Sequence, residues 1–314
     1  MKKGFFLFLL NFFLASSCLF SFQKQYLHSS SGATLEFTYR TLEPGEVIMV
    51  TLKDNPAVLE VKLQFLGKEY TLKKNDANLE PFVFMGLDLD TEPDKHIMKV
   101  LLIREGGTWE YIQKEILVAA KEFPVRELWV NEKFVTPPPW ALERIKIEAE
   151  ILNYIYSINT PRWLGEGKFI LPTSDEVVPN FGERRIFNNN PRSSHSGVDI
   201  SSPHGTTVKA SNSGEVVLAK ELYFAGKTVI VNHGLGLFTL YCHFSNMRTK
   251  RGEFVKKGAV IGEVGATGRV TGPHLHWGVK LLGTRIDPFS LLSLPLNEWI
   301  LNLFYFLKYF SNHS

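Results

Sequence analysis

Thr271-Gly-Pro-His274-Leu275-His276-Trp277-Gly-Val279 is the stretch whose reading decides the fold of the carboxyl-terminal half of this chain. From His274 onward, titratable and apolar side chains alternate, the period-two pattern of a strand with one face in a core. Residues i and i+2 of a strand share a face, so the rings of His274 and His276 point into one cavity while Leu275 packs inward. Working outward, the neighbouring segments are also short and β-rich: Val208-Lys209-Ala210, Glu215 to Leu218, Thr228 to Val231, Leu237 to Cys242 and Val260-Ile261-Gly262. Gly214, Gly226, Gly234, Gly236, Gly258, Gly265 and Gly268 punctuate them at intervals too short for βαβ crossovers. An antiparallel domain, all-β or nearly so, is therefore expected over 165–295.

Six of the nine histidines fall between His195 and His276. The motif His195-Ser-Gly-Val-Asp199 offers one imidazole and one carboxylate; Gly197 inside it and Pro203 soon after argue against a helix and for a loop entering a strand. In Leu240-Tyr-Cys-His243, alternation puts Tyr241 and His243 opposite Leu240 and Cys242, and His243 is read as a further wall of the cavity. Three nitrogen and oxygen ligands with an open fourth position are the signature of catalytic zinc. Structural zinc would recruit several thiolates, and the chain has only Cys18 and Cys242. The spacing alone does not choose the ligands among these side chains. His204 and His233, each followed by glycine, read as loop residues, and His96 as a surface residue. Cys242 alternates with Leu240 and Phe238 and reads as a small buried hydrophobe, with no structural disulfide expected.

Upstream, residues 23–124 contain Val47 to Val50, Leu59 to Leu63 and Met98 to Leu102, separated by Pro-Gly, Asp-Asn-Pro and Gly-Gly turn signals. This predicts a β-sandwich-like accessory or regulatory domain without a ligand cluster. Pro137-Pro138-Pro139 then opens an amphipathic helix within a 125–164 linker. Leu142, Ile145, Ala149, Leu152 and Tyr156 recur at spacings of three and four as a docking face, and Arg144/Glu148 and Lys146/Glu150 pair at i,i+4. Lys2 and Lys3, the apolar run Phe5 to Leu14 and the small residues Ala15-Ser16-Ser17 give residues 1–22 the order of a secretory signal, with an uncleaved membrane anchor as the alternative. Ala15-Ser16-Ser17-Cys18 also resembles a lipidation box, with Leu14 one place early. The tail 296–314 is aromatic and apolar, yet too short to span a bilayer. A formal charge of +3 gives no sign of nucleic-acid binding.

Together, Asn180-Phe-Gly-Glu-Arg184, His195-Ser-Gly-Val-Asp199, Pro203-His-Gly-Thr-Thr-Val, Leu240-Tyr-Cys-His243, Gly265-Ala-Thr-Gly268-Arg and Thr271 to Trp277 resemble the lysostaphin-like (LytM-type) zinc metallopeptidases, peptidoglycan endopeptidases. The resemblance implies one Zn²⁺ per chain on His195, Asp199 and His276, with His243 and His274 as non-ligand catalytic histidines. It also suggests Asn180 and Arg184 as substrate contacts. The implied function is an exported endopeptidase cutting peptide cross-links in peptidoglycan, with a D,D-bond the expected target and the periplasm or cell envelope the expected place. The alternatives are a non-catalytic wall-binding or amidase-activating module and a secreted protease acting on glycine-rich proteins. Since an unregulated wall hydrolase is dangerous, the amino-terminal domain or the helix is further expected to restrain access to the groove.

Overall fold

In a computed structural model, residues 22–53, 57–73 and 80–296 are described. The leader expected over 1–22 and the tail expected over 296–314 lie, apart from Phe22 and Leu296, outside the described residues. Eight strands come first: β1 (Gln23–His28), β2 (Thr34–Tyr39), β3 (Val47–Leu52), β4 (Val58–Phe65), β5 (Lys68–Lys73), β6 (Phe82–Gly86), β7 (Lys95–Arg104) and β8 (Trp109–Leu117). They form two four-stranded sheets, ordered β1-β2-β3-β6 and β5-β4-β7-β8. Phe37, Val50, Leu52 and Met85 of one meet Val61, Leu63, Met98 and Val100 of the other in a single buried cluster. The driving term is apolar area removed from water, about 25 cal/mol per Å². β4 shows the alternation behind it, with Val58, Val61, Leu63 and Phe65 buried and Leu59, Lys62 and Gln64 exposed. The expected β-sandwich is thus present.

A connecting strand β9 (Val125–Leu128) and helix α1 (Pro139–Ser157) lead to a second set of strands: β10 (Val177–Val178), β11 (Arg184–Phe187), β12 (Asn190–Ser194), β13 (Gly197–Ile200), β14 (Thr207–Lys209), β15 (Gly214–Leu222), β16 (Gly226–Gly234), β17 (Leu237–Met247), β18 (Phe254–Val255), β19 (Val260–Val264), β20 (Leu275–Leu281) and β21 (Thr284–Ile286). A short helix α2 (Pro288–Ser293) follows. The main sheet runs β10-β13-β20-β17-β16-β15-β18, antiparallel throughout. Its register assigns every side chain near the histidines to a face. Asp199 pairs with His276 and His276 with Cys242, while Val198 pairs with Trp277 and Trp277 with Tyr241. The second trio, with Ile200 and Leu275, is buried in one core, so the first trio looks the other way. Gly197 permits the close pairing of β13 and β20: a Cβ there would lie 2.5 Å from the Trp277 carbonyl oxygen and 2.9 Å from His276 Cε1.

The linker is more structured than expected. β9 pairs in parallel with β11, an exception to antiparallel pairing that ties residues 125–128 to the second domain. Helix α1 begins where the proline run predicts, with Pro139 at a position whose missing N–H costs nothing. Its buried face, however, is rotated from the predicted stripe. Leu142 is 54% exposed and Ala149 is also exposed, whereas Ala141, Glu148, Ile155 and Tyr156 are buried. The cause is Glu148, whose carboxylate accepts from the backbone N–H of Tyr223 (2.7 Å) and from Arg144 Nε (2.6 Å). Ile155 and Tyr156 cover Phe238, Leu240 and Cys242 on the face that carries His276.

The sandwich docks on the β20–β21 hairpin and α2. Val47, Met49 and Phe84 share a cluster with Leu237, Val279, Ile286 and Leu291. Arg40 Nη2 donates both to Glu46 (2.5 Å) and to Asp287 (2.7 Å), and Asp287 in turn caps α2 by accepting from the Phe289 N–H.

Candidate metal centre

Three side chains on β13, β20 and the turn before β13 converge. His195 Nε2 is 2.8 Å from His276 Nδ1, and Asp199 Oδ1 is 3.1 Å from each. Ligand atoms held tetrahedrally at about 2.0–2.1 Å around Zn²⁺ stand about 3.3 Å apart, so this triangle has nearly the size one ion requires. All three carry donors that suit zinc, and they are the metal-capable group found among the described residues. The surroundings orient them. His195 Nδ1–H donates to the Asn180 carbonyl (3.0 Å), which leaves Nε2 as the lone pair. Asn180 Nδ2 (3.0 Å) and Arg185 Nη2 (2.6 Å) both donate to Asp199 Oδ2, freeing Oδ1 for the triangle, and the Asp199 N–H donates to Asn180 Oδ1 (3.1 Å). Burial works to raise the Asp199 pKa, but its close contacts with His195 and His276 hold it far below the usual carboxylate range. Burial pushes His276 down, only partly offset by Asp199, so its ring is neutral and able to coordinate.

His243 and His274 stand beside this group, their ring centres 4.9 Å apart, with His243 6.2 Å from His276. Each donates Nδ1–H to a carbonyl, His243 to Thr267 (2.8 Å) and His274 to Gly272 (2.9 Å), so each keeps Nε2 available. Burial lowers both pKa values, and for His243 the neighbouring His274 and His276 add to the effect. The alternation argument for His243 needs correcting. Tyr241 is in the core, and strict alternation would send His243 there too. Instead the β16–β17 register gains one residue between Tyr241 and Phe244, and His243 takes φ +66°. This β-bulge turns the imidazole back to the metal-binding face.

These residues line an open groove of about 1040 Å³, to which β9, α1, β11 and residues 201–204 and 269–274 also contribute. Arg184 is exposed and does not reach the groove; Arg185, which faces the other way on β11, does. Adjacent strand residues alternate, and nothing in the sequence chooses which of two neighbouring arginines faces in. Asn180 lines the groove, with its amide bonded to Asp199. His204 lies in a turn at the groove rim, as expected. His233 does not lie in a loop: it is inside β16, fully buried, bonded to the Ser213 carbonyl (2.8 Å) and Thr239 Oγ1 (2.7 Å), and burial lowers its pKa to about 4.

Comparisons with known proteins agree with this geometry. The profile of Peptidase family M23 matches residues 193–288. The DD-carboxypeptidase/endopeptidase Mpg of Neisseria meningitidis serogroup B is 40% identical over 104 residues, 33% of this chain and 24% of that protein. The peptidoglycan DD-endopeptidase ShyA of Vibrio cholerae is 39% identical over 121 residues, 38% of this chain and 28% of that protein. The chain thus spans about a quarter of the length of these relatives. A solved M23 peptidase from Pseudomonas aeruginosa superposes over 81% of this chain and 96% of that one, at a TM-score of 0.62 and 29% identity. The three metal-capable side chains and both flanking histidines fall inside residues 193–288, the stretch that is similar to Peptidase family M23.

Proposed function

We propose that this protein is a zinc endopeptidase that hydrolyses peptide cross-links of peptidoglycan in the cell envelope, with a D,D-bond as its target. The observation that carries the reading is the pairing of a zinc-sized donor triangle with two neutral imidazoles, His243 and His274, each with Nε2 available, at the floor of a peptide-sized groove. In this reading His195, Asp199 and His276 hold the ion. When bound, zinc supplies Lewis acidity, lowering the pKa of water and polarising a carbonyl. His243 and His274 would divide the proton work: the base takes the proton of the attacking water on its Nε2 and, as the imidazolium so formed, can return it to the leaving amine, while the other would donate to the carbonyl oxygen only after taking up a proton on its own Nε2. Asp199 is committed to Asn180 and Arg185 and serves as an anionic ligand rather than as a base. The Neisseria and Vibrio relatives, named for DD-endopeptidase activity, support the choice of substrate.

Residues 1–22 are proposed to direct export, as a cleaved signal or as a membrane anchor. Residues 23–124 are proposed as an accessory domain, 125–164 as the linker, 165–295 as the peptidase and 296–314 as an appended tail. Every described residue lining the groove comes from Arg126 onward, so any restraint on access falls to the linker and α1 rather than to the sandwich. The deciding experiment is mass spectrometry of muropeptides released from purified sacculi, with and without a chelator. Cross-link cleavage lost on chelation, and in His276→Ala, is expected. Stimulation of an amidase that survives His276→Ala, without intrinsic cleavage, would overturn the proposal.

A further inference from the structure

β20 continues beyond the metal-binding end as Gly278-Val-Lys280, and alternation places Lys280 on the face that carries His274 and His276. Four strand residues at about 3.3 Å each set its Cα about 13 Å from that of His276. Lys280 lines the groove. It pairs across the sheet with Phe238, and its Nζ lies 5.8 Å from the centre of the Tyr156 ring of α1. That ring packs edge-on against Phe238 at 5.7 Å. The side chain is half-buried, and among the described residues no carboxylate forms an ion pair with it.

A half-buried cation on an aromatic shelf is an expensive thing to keep unless something pairs with it. Arg126, Arg185, Arg269 and Lys280 line the groove, with Asp199 the acid among its lining residues; Arg126 and Arg185 pair with Glu183, Arg185 also with Asp199, and Arg269 lies over the Phe187 and Phe224 rings. Burial, with Arg285 adding to it, lowers the Lys280 pKa to about 8, which keeps most of its charge at neutral pH.

We propose that Lys280 binds an ionised carboxylate of the substrate peptide, roughly two to four residues from the bond that is cut, and so sets the register of the peptide over the histidines. The inference rests on the groove being a peptide site, as proposed above. It adds the chemistry that site selects: a peptide carrying free carboxylate at a fixed distance from the scissile bond. The terminal carboxylate of a stem peptide and the side-chain carboxylate of its diamino acid offer the same chemistry.

The test is equilibrium binding of a fluorescent, non-hydrolysable cross-linked peptide to the zinc-loaded full chain. Wild type, Lys280→Met and Lys280→Arg are each measured against the free peptide and two forms amidated singly, at the terminal or at the diamino-acid carboxylate. Lys280→Met is expected to weaken binding of the free peptide about tenfold, with Lys280→Arg retaining most of it. One amidated form should bind wild type and Lys280→Met equally, and that form identifies the carboxylate. Equal weakening for all three peptides, or none, overturns the inference. Wild type that binds in this pattern but releases no muropeptides refutes the proposed function alone; cleavage by wild type together with an unaffected Lys280→Met refutes this inference alone.

Discussion

Lys280→Met should make the folded protein more stable at neutral pH, and the gain should vanish in alkali. The folded-state pKa of Lys280 is lowered to about 8 from 10.5, burial first and Arg285 second. For a base this means that burying the ammonium costs the folded state free energy wherever the group is charged in both states, that is, below about pH 8. A shift of that size corresponds to at most about 3 kcal/mol. Partial solvent access and the Tyr156 ring, worth about 0.5–1 kcal/mol to a cation, bring the expected gain to about 1–2 kcal/mol. Between pH 8 and 10.5 the folded state is already neutral while the unfolded chain is still charged, so the penalty that Met removes shrinks; above 10.5 it is gone. The assay is urea unfolding of wild type and variant at pH 7 and pH 10.5, read from the midpoints with m-values checked for equality. A variant less stable than wild type at pH 7, or a difference unchanged between the two pH values, would refute the reasoning.

His243→Ala is expected to lower kcat about 100- to 10,000-fold with one zinc per chain retained by atomic absorption. His243→Gly should be equally inactive yet about 1 kcal/mol more stable than His243→Ala, because the position holds φ +66°; equal stability would show that the bulge relaxes. Asn180→Ala removes the amide that orients Asp199, and chelator competition should show zinc held about 10- to 100-fold more weakly; unchanged zinc affinity would mean that Arg185 suffices. Gly197→Ala forces a Cβ against the Trp277 carbonyl and the His276 ring, and should cost about 1–3 kcal/mol in unfolding free energy. It should also lose zinc before it unfolds, and a variant with normal zinc content would count against the close approach.

What could be read from the amino-acid order was whatever rests on local periodicity. His274 and His276 share a face because period two is built into a strand, and Leu275 and Trp277 fill the core for the same reason. The sandwich was legible from its turn residues and alternating runs. Non-local events were not. The bulge that redirects His243 exists because β16 and β17 differ by one residue in register, and nothing within Leu240-Tyr-Cys-His243 announces it. The helix stripe was misplaced because Glu148, polar and so assigned to solvent, finds a buried donor in Tyr223, 75 residues away. His233 was given to a loop because a glycine follows it, yet Ser213 and Thr239 satisfy both ring nitrogens inside a strand. The parallel pairing of β9 with β11 joins segments nearly 60 residues apart and left no local mark.

The position of the sandwich bears on what an accessory domain does for this groove. It sits behind β20 and β21, where Val47, Met49 and Phe84 pack on Val279 and Ile286, and Arg40 holds Asp287 at the start of α2. β20 carries His276 at one end and Lys280 at the other, on the face opposite Val279. A shift of that strand would therefore move the proposed metal ligand and the cation on its aromatic shelf together. A chemical site needs its groups held to fractions of an ångström, and a buried apolar interface behind the strand is a direct way to achieve this, since packed cores resist continuous deformation. The linker contributes differently: residues of β9 and α1 line the groove together with the histidines. On the proposed reading, the upstream half of the chain would stiffen the site through the sandwich and shape the groove through the linker and α1, and residues 165–295 alone would lose both contributions.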